Sequence, residues 1–293
     1  MFKRYIFVLL YIVLTAISVT YIHDLGQHIP DDLLLLLGSF YAVVFFNVVN
    51  IKAIGATYKK ILYTKLLFAT LLVTFLIAWV FTIIIPTYFT PGILVFFFMA
   101  WPACIGSYFQ YKHTKLKMNL VRFILIGLLI LIFYACLSMV YKSSQYLFLV
   151  VSLTVTGFAG FWYSRVSYQM NQHNFSAVEI LSIRFWLLFI IPLIITIWDK
   201  HIFLINGQIL LYTFALSFVS MIIPVYCSQI SIQKIGPNVH SMLIGMTPFT
   251  AFLVERIFLP KNREDVFDGV FSFGLAAIII VSYLIQVYKV KKS

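Results

Sequence analysis

Charge is scarce in this 293-residue chain. Only 10% of its residues are Asp, Glu, Lys or Arg, against about 25% in soluble domains. Acids are scarcer still, nine against 21 Lys and Arg, while 62% of the residues are hydrophobic. Too little polar material exists to coat a water-exposed surface. That excludes an ordinary cytosolic enzyme, a disordered chain and a secreted disulfide scaffold. The three cysteines, Cys104, Cys136 and Cys227, lie in apolar runs without CxxC spacing. Their odd number and their spacing argue against a disulfide framework and a zinc site, and leave them as small buried hydrophobes. No GxxxxGK[ST] loop occurs, so ATP is not expected as a direct energy source. The scattered acids supply no carboxylate cluster for a metal, which argues against an intramembrane transferase. No cofactor, no metal and no catalytic residue is expected.

What the chain does contain is long apolar runs. A spanning helix needs about 20 such residues to cross about 30 Å of hydrocarbon. Ten windows qualify, at roughly 5–22, 32–50, 61–85, 91–110, 120–140, 145–163, 177–198, 208–230, 238–258 and 267–288. Runs of this length satisfy their backbone as helices rather than strands. The fold class expected is an all-α polytopic membrane protein. The first window follows Lys3 and Arg4 and has signal-peptide traits, but the repeat described below needs it as a retained span.

Charge placement orients the spans. With the N-terminus cytoplasmic, the inside segments hold 15 basic residues: Lys3, Arg4, Lys52, Lys59, Lys60, Lys65, Lys112, Lys115, Lys117, Arg122, Arg165, Lys234, Lys289, Lys291 and Lys292. The outside segments hold 5: Lys142, Lys200, Arg256, Lys261 and Arg263. Seven of the acids fall outside. This bias predicts both termini in the cytoplasm. The net charge of +12 is then a headgroup-facing basic layer. It is no nucleic-acid signal, since no basic-aromatic module accompanies it. Arg184 alone is left inside a span.

The chain also repeats itself. Pro91 and Pro102 open and interrupt the fourth window, and Pro237 and Pro248 do the same in the ninth, at an offset of 146 residues. Gly127-Leu128 and Gly274-Leu275 continue the register with one insertion. Two five-span repeats, 1–141 and 142–293, follow. An odd number of spans inverts the second copy, as in alternating-access carriers.

Ile235-Gly236-Pro237, Pro248-Phe-Thr-Ala-Phe-Leu253, Gly274 and Val178-Glu179-Ile-Leu-Ser-Ile-Arg184 resemble the drug/metabolite transporter superfamily, in particular its EamA-like members. The chain departs from that family where Lys115 and Lys261 stand near its usual Gly-Glu positions. The resemblance implies a bacterial inner (plasma) membrane and a central cavity lined by spans 1, 3, 4, 6, 8 and 9. It implies a secondary transporter of small organic metabolites such as amino acids or amines, with export as the direction. Uptake or exchange of an amine or nucleotide-like metabolite is the alternative, and an intramembrane transferase or a non-transport membrane protein would be a different class. Expected partners are a small-molecule substrate and the lipid bilayer. Protons are the candidate coupling ion, and a homodimer is the candidate assembly.

The substrate-site candidates are mid-depth polar, aromatic and proline residues. Pro102 and Pro248 each remove a helical hydrogen bond, from the carbonyls of Phe98 and Ile244. Trp101 and Thr247 stand beside them as repeat partners. Thr15, Thr74, Thr154, Thr156, Trp162, Ser217 and Ser220 complete the set, although hydroxyls in spans often bond only their own backbone. Together they describe an uncharged, aromatic-edged cavity. Glu179, Arg184 and His240 are the gating or coupling candidates. Ser176-Ala-Val-Glu179 also reads as a capping box, and His240 as a solvated residue at the cytoplasmic interface.

Overall fold

The computed structural model describes residues 4–26, 28–88, 91–258 and 266–292. About nine-tenths of the chain is helical, and no strand occurs among the described residues. The helices are α1 (Ile6–Gly26), α2 (Asp31–Val49), α3 (Ile54–Tyr63), α4 (Lys65–Tyr88), α5 (Pro91–Thr114), α6 (Lys117–Val140) and α7 (Ser143–Gln172). They continue as α8 (Ala177–Arg184), α9 (Trp186–Trp198), α10 (Gly207–Ser217), α11 (Ile223–Ile235), α12 (Pro237–Ile244), α13 (Thr247–Phe258) and α14 (Val266–Lys292). Six stretches are long and apolar enough to cross a membrane: Asp31–Val49, Lys65–Ile83, Lys117–Val140, Ser143–Gln172, Ala177–Trp198 and Gly207–Ile235. Shorter apolar helices cover Ile6–Val19 and Gly269–Ile285.

The breaks between helices have local causes. Gly236, at φ 80 and ψ 158, adopts backbone open to glycine and little else. With Pro237 fixing the next φ, it folds α12 sharply back along α11. Asn206 accepts from the Ile209 N–H at 2.9 Å and opens α10. Asp31 and Asp32 stand in the first turn of α2, where the helix dipole favours them. A π-helical segment, Phe218–Ile222, joins α10 to α11. Its cause is Pro224, which has no N–H for the Ser220 carbonyl four residues back.

Helix boundaries differ from the sequence windows in three places. The stretch at 54–63 forms a separate helix, α3, broken from α4 at Thr64. The 177–198 window divides at Phe185, and the 238–258 window divides at Gly245–Met246.

Two large apolar cores hold the bundle. One joins α1, α5, α6 and the start of α7 to Ile244 of α12, Ala251 of α13 and Phe271, Leu275 and Ile279 of α14. The other joins α2 and α4 to α8, α9 and the π segment. Phe98 packs against both. One pair of ionisable side chains stands at each of two ends of the bundle. At one end Lys60, on α3, pairs with Glu179, on α8, at 2.8 Å. At the other His201 Nδ1 lies 2.8 Å from Asp32 Oδ1.

Candidate functional site

A narrow cavity with about 30 Å³ of open space lies inside the bundle. Tyr11, Thr15, Ser18, Val19 and Ile22 of α1 line it, with Trp79 and Thr82 of α4 and Val95, Phe98 and Met99 of α5. Tyr163 of α7, Ser220 of the π segment and Val225 of α11 complete the wall. A second, smaller space of about 10 Å³ shares Ile22 and Ser220 with it and continues past Gly38, Thr213 and Ser217. Two lining residues, Phe98 and Ser220, carry carbonyls whose helical donor is replaced by Pro102 and Pro224. The cavity therefore combines hydroxyls, aromatic faces and under-bonded backbone within an apolar wall, the usual composition of a small-molecule site.

The sequence candidates divide around this cavity. Thr15 and Ser220 line it. Ser217 donates to the Gly38 carbonyl at 2.9 Å, bonding α10 to α2. Trp101 and Thr154 meet elsewhere, through Tyr134. The Trp101 indole donates to the Tyr134 hydroxyl at 3.2 Å, and that hydroxyl lies 2.6 Å from Thr154 Oγ1. Gly157 makes room for this arrangement, since a Cβ there would run into the Trp101 side chain. Thr74 and Thr156 bond their own helices, to the Thr70 and Ser152 carbonyls. Trp162 is 44% exposed on the outside of the bundle, with Arg165 over its ring at 5.9 Å. It does not face the cavity, because its neighbour Tyr163 takes the inward side.

The two prolines are not equivalent. Pro102 lies inside continuous α5 and is buried against Gly160. Pro248 sits in the first turn of α13, where no intrahelical donor is required. Thr247 beside it is buried, and its hydroxyl has no partner among the described residues. Neither proline lines the cavity; α5 runs on through Pro102, whereas the ninth window is interrupted at Gly245–Met246, just before Pro248.

The ionisable candidates also separate. Glu179 completes the capping box with Ser176: its Oε2 accepts from the Ser176 N–H at 2.7 Å, and Ser176 Oγ accepts from the Glu179 N–H at 3.2 Å. Its Oε1 accepts from Lys60 Nζ at 2.8 Å and Thr57 Oγ1 at 3.2 Å. Asn50 donates to Ser182 Oγ at 3.0 Å, so α2, α3 and α8 are fastened at this end. Arg184 does not pair with Glu179. Five residues apart on a helix, the two are about 140° from each other around the axis.

Arg184 is 1% exposed. It lies over the rings of Phe75 at 4.6 Å, Tyr163 at 5.5 Å and Phe185 at 5.9 Å, and its Nη1 donates to Gln229 Oε1 at 3.2 Å. Its Nε and Nη2 have no hydrogen-bond partner among the described residues.

His240 is fully buried, which corrects the solvated reading. The Gly236 turn folds it onto α11, where Ser228 and Ser231 share one face. Its Nε2 lies 3.2 Å from Ser228 Oγ, and its Nδ1 lies 3.0 Å from Ser231 Oγ. Its ring meets that of Tyr11 at 5.7 Å. Tyr11 in turn interacts through its hydroxyl with Thr15 and Tyr163. A polar cluster thus runs from the cavity through Tyr11 and Tyr163 to Arg184, Gln229 and His240.

Tyr11, Tyr163 and Gln229 were not among the sequence candidates. Their signal was faint: two tyrosines among 18 and one amide near Ser228 and Ser231. Nor was Arg122, which is buried. Arg122 Nε donates to Ser282 Oγ at 2.6 Å and its Nη1 to Asn119 Oδ1 at 3.2 Å, tying α6 to α14, and Nη1 also meets Met242 Sδ. Away from the cavity, Asp32, Asp199 and His201 bring one ligand-type atom each within 4.8 Å of one another. Compared with known proteins, the chain matches no family model and no curated relative.

Proposed function

We propose that this chain is a secondary carrier that moves a small organic solute across a membrane, as a divergent member of the EamA-like transporters. The single observation that carries the reading is the interior cavity. It is built by six helical elements of an apolar bundle, and residues with hydroxyls, aromatic faces and proline-freed backbone stand at its wall. In a membrane, irregular backbone and polar groups at depth are tolerated where they face a cavity.

Taken as ten spans, the helices are α1, α2, α4, α5, α6, α7, α8–α9, α10–α11, α12–α13 and α14, with both termini in the cytoplasm. The composition of the two cores supports the inverted repeat of 1–141 and 142–293. One core contains spans 4 and 5 with their counterparts 9 and 10; the other contains spans 2 and 3 with 7 and 8. A packing scheme that treats the halves alike provides two arrangements of similar energy, one open to each side. The cargo is an amino acid, amine or related metabolite, with export as the direction and a proton gradient as the energy source.

The test uses the purified full chain. A thermal-shift screen against amino acids, amines and nucleosides finds stabilising solutes. These are then followed as radiolabelled solutes into proteoliposomes, with and without a pH gradient. Saturable flux that Ser220→Leu abolishes by filling the cavity is the expected result. A protein that binds none of them and carries none is not a metabolite carrier.

A further inference from the structure

Arg184 is an anomaly in a bundle this apolar. It is almost completely buried, and among the described residues no ion pair includes it. Aromatic faces lie around it, but a ring quadrupole supplies no net negative charge. Gln229 is neutral and occupies only Nη1. An uncompensated charge in a low-dielectric interior is costly. Chains place such charges in spans where a pathway or a ligand uses them.

The unpartnered atoms say which ligand. Nε and Nη2 are the two nitrogens that share one edge of the guanidinium plane. That edge presents two parallel N–H donors at the spacing of the two oxygens of a carboxylate. One edge and one charge match a monoanion. A dianionic phosphate would leave a net charge in the same apolar surroundings. Arg184 is not itself on the cavity wall, but its guanidinium carbon is 5.5 Å from the ring of Tyr163, which is. Tyr11, on the same wall, interacts with Tyr163 through its hydroxyl. Trp79 and Phe98 give the rest of the space an aromatic character.

We infer that the solute admitted to the cavity carries a single carboxylate, which the free Nε–Nη2 edge of Arg184 receives once the wall residues Tyr11 and Tyr163 move aside. This rests on the carrier reading for the site's location and names the substrate class. Amines without an acid group are thereby excluded as cargo; amino acids are not.

The experiment measures the melting temperature of the detergent-purified full chain with 3-phenylpropionate and its uncharged amide, and with L-phenylalanine and its amide. Chloride and inorganic phosphate serve as ion controls. The acids should raise the melting temperature saturably and the amides should not. Arg184→Gln should raise the half-saturating concentration about tenfold or more. Without solute, Arg184→Gln should melt at or above the wild-type temperature, since it removes an unpaired buried charge. Should that variant fail to fold, Tyr11→Phe and Tyr163→Phe provide the second measurement, each weakening the response to the acids. Equal shifts by acid and amide, an undiminished response in Arg184→Gln, or no response to any of the acids overturns the inference. So does an equal response to chloride or phosphate, which assigns an inorganic-ion site. Carboxylate binding without any flux in proteoliposomes overturns the carrier reading and leaves this site standing. Flux of an amine that Arg184→Gln does not change does the reverse.

Discussion

His240 is held at both ring nitrogens, by Ser228 and Ser231, one turn apart on α11. In a neutral imidazole one nitrogen donates and the other accepts, so both serine hydroxyls are engaged by one ring. His240→Ala leaves the pair without its bridge and opens a space beside Tyr11. A loss of about 1–2 kcal/mol is expected, read as a lower melting temperature in detergent; an unchanged transition would mean that the bridge contributes nothing. At this scale the sequence was a poor guide. His240 stands three residues after a proline at a basic end, which reads as a solvated terminus. Only the reversal at Gly236, which carries it back over α11, places it inside. Arg184 and Glu179 lie in one span as gating candidates, yet helical geometry turns them to different neighbours. Thr15 and Ser220 stand at mid-span and line the cavity; Thr74 and Thr156, equally placed in sequence, do not, and Ser220 shares with them a hydroxyl that donates to its own helix backbone.

At the scale of elements, α5 and α7 approach each other over Gly157. Gly157→Leu should force the Trp101 side chain out of its contact with Tyr134 and cost about 1–3 kcal/mol of stability. At Gly55 in α3 an added methyl would meet nothing within 4 Å, so Gly55→Ala should be neutral or mildly stabilising. Equal melting losses in both variants would show that the α5–α7 approach is not what the larger residue disturbs. The apolar windows marked the helices well, since hydrophobic length is a property of the chain itself. Their interruptions were harder to see. Ile61, Leu62 and Tyr63 continue the apolar run into α4 without a glycine or proline, so the separate helix α3 was hidden. Pro224 has a clear local effect, but the π segment it produces also depends on how α10 and α11 are held against α2.

At the scale of the molecule, the orientation rests on the distribution of basic residues. In a background with Cys104, Cys136 and Cys227 replaced, Lys115→Cys lies in the turn between α5 and α6, and Lys200→Cys in the turn after α9. A membrane-impermeant thiol reagent should reach the first only from the cytoplasm and the second only from outside. Labelling with the opposite sidedness would reverse the topology. Charge bias was legible because it depends on counting rather than on contacts. The mixing of the two halves in each core was not, because no local pattern records which distant helix a face will meet.

The position of α1 sets a constraint on assembly. Its residues from Val8 to Val19 belong to one core and Ile22 to the other, and it packs along α11 and α13. Those partners lie about 200 residues later in the chain. At synthesis rates of about 5–20 residues per second, α1 waits on the order of 10–40 s for them. During that interval the face that will bear Tyr11 and Thr15 is exposed to lipid or to transient helpers. The wall of the cavity is thus among the last surfaces of the protein to close, and premature termination before α11 would leave a hydroxyl-bearing helix without a partner for quality control to find.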